Sequence, residues 1–403
     1  MTGHGAPSPA ITARARRYPL GSAVTLADLG NDPHPTLARL RAAEPVSWVP
    51  VLNGWLVTRR DLALAVMRDS AAFTVDDPRF STARIVGPSM LSLDGPPHDR
   101  HRRPFTGPFS QAAVRERLEA FVTGEADRLV SLVRPAGRAD LSRSLAAPLA
   151  VAVVARVLGL GQVPPATILS WYDAIVGAVS DLAADPDSGP AAPATAAFRE
   201  LSDSLTAVIG HSAEPSLRPA TATLSPAEIV SNAAVLMFGG IETTEGMIVN
   251  AAWHLLGHRD QLDLVRADSG LLPQAIEESL RLEPAAAVVD RYATRDAELG
   301  GAAVSRGDLV SVSVAGAGRD PAAFTDPDRF DVRRGNAGQN LAFARGPHFC
   351  LGVHLARLEA RAALAAALRL LPALRLDPGH PAAPRGLVFR KPPSLPVIWD
   401  PVL

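Results

Sequence analysis

Cysteine occurs once in the 403 residues, at Cys350, and tyrosine only three times, with aromatic residues at 5% overall. A single cysteine excludes an intramolecular disulfide and agrees with a reducing, cytoplasmic compartment. Charge of one sign is also lacking: the formal net charge is −1, so nothing points to nucleic acid. No run reaches the ~18–20 apolar residues that would span a bilayer. Residues 1–17 hold Arg14, Arg16 and Arg17 but lack the apolar core of a signal peptide. Lys391 is the only lysine, the other basic residues being arginine; with abundant alanine, this reads as coding bias. What is present, 47% hydrophobic and 20% charged residues, is ordinary for a globular chain with a large core.

Two β-like runs, 45–51 and 55–58, flank Leu52-Asn53-Gly54, and Asn-Gly is a strong hairpin signal. Amphipathic helical patterns follow over 111–133, 141–158, 166–182 and 197–209. The Pro/Ala/Ser-rich stretches 183–195 and 211–225 read as loops. At Ser225-Pro226-Ala227-Glu228 a capping box with proline at the first helical position opens a helix. It runs to about Leu256, roughly 45 Å at 1.5 Å per residue. It is apolar on several faces between Ile229 and Phe238, which predicts burial through the middle of the molecule.

Cys350 sits in Phe343-Ala344-Arg345-Gly346-Pro347-His348-Phe349-Cys350-Leu351-Gly352. Gly346 and Gly352 let the backbone approach something flat, and Phe343 and Phe349 can shield the sulfur. These are the needs of a thiolate ligand to haem iron. The pattern from 353 to 370 predicts a helix, placing Cys350 near a helix N-terminus, where the dipole favours an anionic sulfur. A buried free cysteine acting as a small hydrophobe is the alternative.

Inside the long helix lies Gly239-Gly240-Ile241-Glu242-Thr243-Thr244. Glycines in a helix interior cost about 1 kcal/mol each relative to alanine, so they need a reason. Without side chains a ligand can lie against the helix, and an acid next to a hydroxyl can relay protons. The competing reading is a kinked helix whose threonines bond back to their own backbone.

Together these motifs resemble the cytochrome P-450, or haem-thiolate, family. The cysteine loop is similar to its Phe-Gly/Ser-x-Gly-x-His/Arg-x-Cys-x-Gly pattern, and the helix motif to Ala/Gly-Gly-x-Asp/Glu-Thr-Thr/Ser. One departure is Ala344, where the family has glycine; a Cβ there restricts the loop. The likeness runs from Asp32-Pro33 to Val397. It implies a mainly α fold with a smaller β portion, a long central helix over haem b, and one domain over 21–403 after a disordered leader, 1–20. The stretches around 183–225 would form a lid over the substrate pocket.

By the same resemblance, Cys350 is the metal ligand, and Thr243 and Glu242 are the catalytic pair. Phe343, Gly352 and Gly239 lie against the cofactor. Asp94-Gly95-Pro96-Pro97-His98-Asp99-Arg100-His101-Arg102-Arg103 resembles the family's propionate-binding segment, giving His98 and Arg102 that role, with Arg291 and His348. Glu278 and Arg281 match a Glu-x-x-Arg, and Arg329 the arginine that completes its buried triad. By position Val235, Phe238, Gly239, Ala286, Ala287, Val289 and Val388 or Phe389 should line a roomy apolar pocket, to which 73–90 contributes.

The implied chemistry is activation of O2 and hydroxylation or epoxidation of a hydrophobic small molecule in secondary metabolism. With the motifs filling the chain, electrons come from a separate ferredoxin and ferredoxin reductase. They would dock near Cys350 on Arg100, Arg103 and Arg357, and the enzyme would be a monomer away from membranes. Three rivals stand beside this reading. They are a peroxide-driven enzyme, whose relatives typically replace the acid–threonine pair, an oxidative-coupling or ring-forming enzyme, and a haem-bearing recruitment module without turnover.

Overall fold

Helices dominate the computed structural model, which describes residues 9–184, 191–211 and 215–400. Among the described residues, ten short strands make up the β portion: β1 (Val46–Val49), β2 (Gly54–Val57), β3 (Phe73–Thr74), β4 (Arg138–Asp140), β5 (Val288–Ala293), β6 (Ala297–Leu299), β7 (Ala302–Val304), β8 (Leu309–Ser313), β9 (Arg375–Leu376) and β10 (Pro396–Ile398). The largest sheet has the order β1-β2-β8-β5-β3, with β2 and β8 parallel and the other pairs antiparallel.

The predicted hairpin forms, but not as a two-residue turn. A 3-10 turn over Pro50–Leu52 and a left-handed Asn53, φ 47°, make the connection. Gly54 already belongs to β2, where a Cβ would stand 3.0 Å from Leu309. Its glycine therefore serves the approach of β8 rather than the turn.

The capping box is realised: Ser225 Oγ accepts from Glu228 N, and the Glu228 carboxylate accepts from Ser225 N. The helix it opens, Pro226–Gly257, is buried along most of its 32 residues. Helices Ala147–Val157, Leu272–Leu282 and Val353–Leu370 pack around it, and their apolar faces form the main core. The pattern predicted over 141–158 splits into a π-helical turn, Ser142–Ala146, and the helix proper. Asp140 fixes that turn by accepting from the backbone N–H of Ser142 and Leu395.

The leader expected over 1–20 is not disordered where it is described. Residues Pro9–Arg17 are helical, and the Arg14 guanidinium lies 4.7 Å from the Trp48 ring and 3.0 Å from Asp308 Oδ1. Residues 1–8 lie outside the described part, as do 185–190 and 212–214 of the two predicted loops. Within those loops, Ala192–His211 is already helical and Arg218–Ala222 is a 3-10 turn. Among the described residues, no helix is long and apolar enough to cross a membrane.

Candidate functional site

The Cys350 loop turns tightly just before the helix Val353–Leu370. Cys350 N donates to Phe343 O at 2.9 Å, closing the loop. Ala344 takes the left-handed region at φ 55°, a conformation costing a residue with a Cβ about 1–2 kcal/mol. Gly346 is left-handed too, and there a Cβ would fall 2.4 Å from Met67 O, so only glycine fits. Cys350 itself is half-buried. Burial pushes the Cys350 thiol up; the Gly352 N–H aimed at the sulfur, then Arg102 and Arg357, work against that. The orienting amide and nearby cations are what a bound thiolate needs.

Arg102, Arg291, His98 and His348 gather at this loop around Asp94. Arg102 donates from Nη2 to Phe349 O. His348 Nε2 lies 2.9 Å from Asp94 Oδ1, and its ring centroid is 4.6 Å from that of His98. Burial disfavours the Asp94 carboxylate, but bonds from His348, Thr74 Oγ1 and Val75 N outweigh it and hold Asp94 below its ordinary value. Arg291 is buried and feels the Asp94 charge. His98 is also buried; Nδ1 is 3.2 Å from Asp99, whereas Nε2 has no partner. A buried ring nitrogen without a partner is costly. Among these cations it is placed for an anionic acceptor, so the set fits haem propionates.

The paired glycines of the central helix have different reasons. A Cβ on Gly240 would meet Val154 Cγ2 at 2.7 Å, so this glycine admits the helix Ala147–Val157. A Cβ on Gly239 would meet no heavy atom within 4 Å, as expected of the face against which a cofactor lies. Thr243 Oγ1 donates back to Gly239 O, the local bond anticipated as the competing reading.

Glu242 turns away from Thr243. Its Oε1 lies 3.1 Å from Lys391 Nζ, and its Oε2 accepts from the Tyr172 hydroxyl. Burial, then the Glu242 charge, raises the Tyr172 pKa, so the phenol stays a donor. Lys391 also reaches Glu245 Oε2 at 2.6 Å, and Glu245 Oε1 accepts from Ser142 Oγ at 2.6 Å. Sequence reading missed Tyr172, Glu245 and Lys391 here; only the rarity of lysine could have drawn attention to the last.

On the apolar side, Val235 and Phe238 are buried on the central helix, and the Phe238 and Phe389 rings meet edge to face at 5.5 Å. Ala286 pairs with Phe389 through an isolated bridge, which brings it to the same wall. Three expectations need correction. Ala287 packs in a separate cluster with Val24, Leu29, Leu37 and Leu56. Val289 packs against the core of the large sheet. Val388 is exposed, because Phe389 takes the inward position and its neighbour faces out.

The Glu-x-x-Arg pair is fully buried, with Arg281 Nε 2.7 Å from Glu278 Oε2. The arginine that completes it is Arg334, not Arg329: Arg334 Nε lies 2.8 Å from Glu278 Oε1. Arg329 is exposed and lends only its carbonyl, to Arg281 and Arg334. Arg100, expected as a docking contact, keeps a half-exposed side chain. It is bound to Glu228 and Thr223 O at the start of the central helix. Arg357 pairs with Glu277 and lies over the Phe343 ring, while Arg103 is exposed.

The family model for cytochrome P450 matches residues 265–385. The cytochrome P450 monooxygenase PikC of Streptomyces venezuelae is 37% identical over 397 residues, covering 92% of each chain. Nocardicin C N-oxygenase of Nocardia uniformis subsp. tsuyamanensis is 34% identical, covering 95% of this chain and 98% of its own. The crystal structure of CalO2 superposes with a TM-score of 0.82 at 33% identity, covering 94% of this chain and 99% of that one.

Proposed function

Because the chain belongs to the cytochrome P450 monooxygenase family of bacterial secondary metabolism, we propose that it hydroxylates or epoxidises a hydrophobic small molecule at haem b. Electrons come from a separate ferredoxin and its reductase. The observation that carries the cofactor assignment is the buried, unpartnered His98 Nε2 among cationic side chains beside Cys350. Cys350 would ligate the iron, and His98, Arg102, Arg291 and His348 would hold the propionates. Haem, when bound, supplies the reductive activation of O2.

The remaining work falls to the chain. Val235, Phe238, Ala286 and Phe389 exclude water and orient an apolar substrate. Glu242 takes protons from the largely buried but water-reachable cluster around Lys391 and passes them to Thr243, whose hydroxyl must leave Gly239 O to receive them. The kinship with an enzyme named as an N-oxygenase keeps oxygen transfer to nitrogen among the outcomes that product analysis must score.

The test is the absorption spectrum of the purified ferric protein, titrated with apolar natural-product scaffolds. A low-spin haem-thiolate Soret band that moves to high spin with one scaffold supports the reading and identifies the substrate class. A band unmoved by every scaffold, with tight binding only of small polar compounds, defeats the hydrophobic-substrate reading. A Cys350→Ala protein that keeps the haem-thiolate band would defeat the assignment of the ligand.

A further inference from the structure

The segment 87–94 runs from the central helix to the cluster around His348. Gly87, at φ 84°, lies so close to that helix that a Cβ would stand 3.0 Å from Ser231 Oγ. Met90 N donates to Asn232 Oδ1 at 2.9 Å, and at the far end His348 holds Asp94. Val86 and Met90 pack in the same core cluster as Val235 and Phe238. Asn232 stands seven residues, about two turns, before Gly239 and on the same stripe of the helix. The segment therefore crosses the pocket face of the helix with Asn232 as its anchor.

Asn232 is fully buried, and its amide can point only one way. Met90 N–H and Glu228 C=O are backbone groups of fixed polarity. The amide oxygen must face Met90, and the nitrogen must face Glu228 O, 2.7 Å away. The second hydrogen on Nδ2 points at His101 Nδ1, 2.9 Å away, which must accept it. The hydrogen of this neutral ring is thus on Nε2, facing Glu228 Oε1 at 3.4 Å. His101 is buried on the helix Gly95–Thr106. The charged groups facing it are Arg100 of its own helix, with Nη2 3.2 Å from Nε2, and Glu228 of the central helix. Met90 and Thr223 meet this group through backbone atoms.

We propose that Asn232 and a neutral His101 position the Met90 segment as the roof of the substrate pocket, and that protonation of His101 releases this roof. The inference rests on the apolar pocket proposed above. A proton on Nδ1 would set two donors face to face. Turning the Asn232 amide would satisfy the charged ring but strand Met90 N. His101 and Glu228 are fixed on helices, whereas Met90 is on a turn, so Met90 is the partner that yields. Burial, then Arg100, hold His101 below its ordinary value, which keeps the roof docked at neutral pH. Released, the ring titrates near about 6.5 and takes up a proton that the docked ring refuses. Docking therefore weakens as pH falls below that value.

The experiment uses the ferric holoprotein and two triazoles that stay unprotonated in the range used. Tebuconazole is bulky and apolar and needs the roof; 1,2,4-triazole is small and does not. Between about pH 8 and about pH 5.5, the wild-type affinity for tebuconazole should fall about tenfold. His101→Asn keeps an acceptor near the place of Nδ1 that cannot titrate, and its affinity should stay flat. Asn232→Ala should bind tebuconazole about tenfold more weakly at every pH. The small triazole should not distinguish the three proteins. An acid loss as large in His101→Asn as in wild type, or equal losses for both triazoles, overturns the proposal.

Hydrogen exchange of the Met90 amide reads the anchor without any ligand. Relative to its intrinsic rate, this amide should be protected at neutral pH and lose protection in acid. His101→Asn should retain protection in acid, and Asn232→Ala should lack it throughout. Protection indifferent to Asn232→Ala overturns the anchor. Protection that behaves as expected while tebuconazole affinity ignores every substitution overturns the roof. A protein without a haem-thiolate band would instead defeat the functional reading, and the roof with it, whatever Met90 shows.

Discussion

Arg334 reaches back across 56 positions to Glu278, its Nε 2.8 Å from Oε1, and so shares a carboxylate that Arg281 already grips through Nε and Nη2. Two guanidiniums on one buried carboxylate also collect the carbonyls of Gly318, Thr325, Asp326, Pro327 and Arg329. The triad thus ties the segment 318–334 to the helix Leu272–Leu282 behind the site.

Removing one partner of this set leaves an uncompensated buried charge. Glu278→Ala should therefore cost roughly 3–5 kcal/mol, and Arg334→Ala a substantial part of that. Arg329→Ala keeps the carbonyl that matters and should stay within about 0.5 kcal/mol of wild type. Denaturant unfolding of the three variants checks the order; an Arg329 variant as damaged as the Arg334 one would contradict it.

Ala344 carries a Cβ in a left-handed conformation at φ 55°. Ala344→Gly should relieve about 1–2 kcal/mol of that strain and lose about half of it to the greater freedom of glycine when unfolded. The net gain should appear as a higher melting temperature with an unchanged haem-thiolate spectrum. Gly346→Ala should do the opposite, because its Cβ would strike Met67 O. Indifference to both substitutions would show that this loop is not under strain.

Acid should destabilise the fold in two stages. His254 is buried against Phe330 and bonded to Ser279, and burial lowers its pKa to about 3. The unfolded chain takes up a proton there below about pH 6.5 that the folded chain refuses, so stability falls as pH drops from 6.5 toward 3. Glu283 opposes burial through His34 and Arg390 and titrates near about 2, so its contribution is lost as pH falls from about 4.5 toward 2. Urea midpoints measured across pH 7 to 4 should decline, and His254→Gln should flatten the upper part of that decline. An unchanged slope would rule out His254 as its source.

Glu359 works in the opposite sense. It is buried on the helix that follows Cys350, its Oε2 has no partner, and burial raises its pKa well above the ordinary carboxylate value. At neutral pH the unfolded chain gains by ionising it and the folded chain does not, which lowers stability. Glu359→Gln should raise stability at pH 7 by roughly 1–3 kcal/mol, with the advantage shrinking as pH falls toward about 4.5 and gone below it. A variant less stable than wild type at pH 7 would mean that the ionised acid is held in place.

The cysteine loop, the Gly-Gly-x-Glu-Thr-Thr helix and the capping box at Ser225 were legible because each is local. Its chemistry needs fixed residue types a few positions apart, and helix or turn geometry then decides where they point. The same locality identified Glu278 with Arg281 and the helix after Cys350. Contacts made across the fold were not legible. Which arginine completes the triad depends on the path taken by residues 318–334, and Arg329 and Arg334 look alike in sequence.

By itself, then, the amino-acid sequence identified the family and singled out the Cys350 loop and the neighbouring Glu242 and Thr243, since these are short-range patterns. Only the tertiary structure decided that Tyr172 and Lys391, 70 and 146 positions from Glu242 and Glu245 respectively, hold the carboxylates of the central helix. It alone gave Gly239 and Gly240 separate tasks and turned Val388 outward. Partners that far apart are brought together by the packing of helices on a shared core, and no local spacing encodes which ones meet.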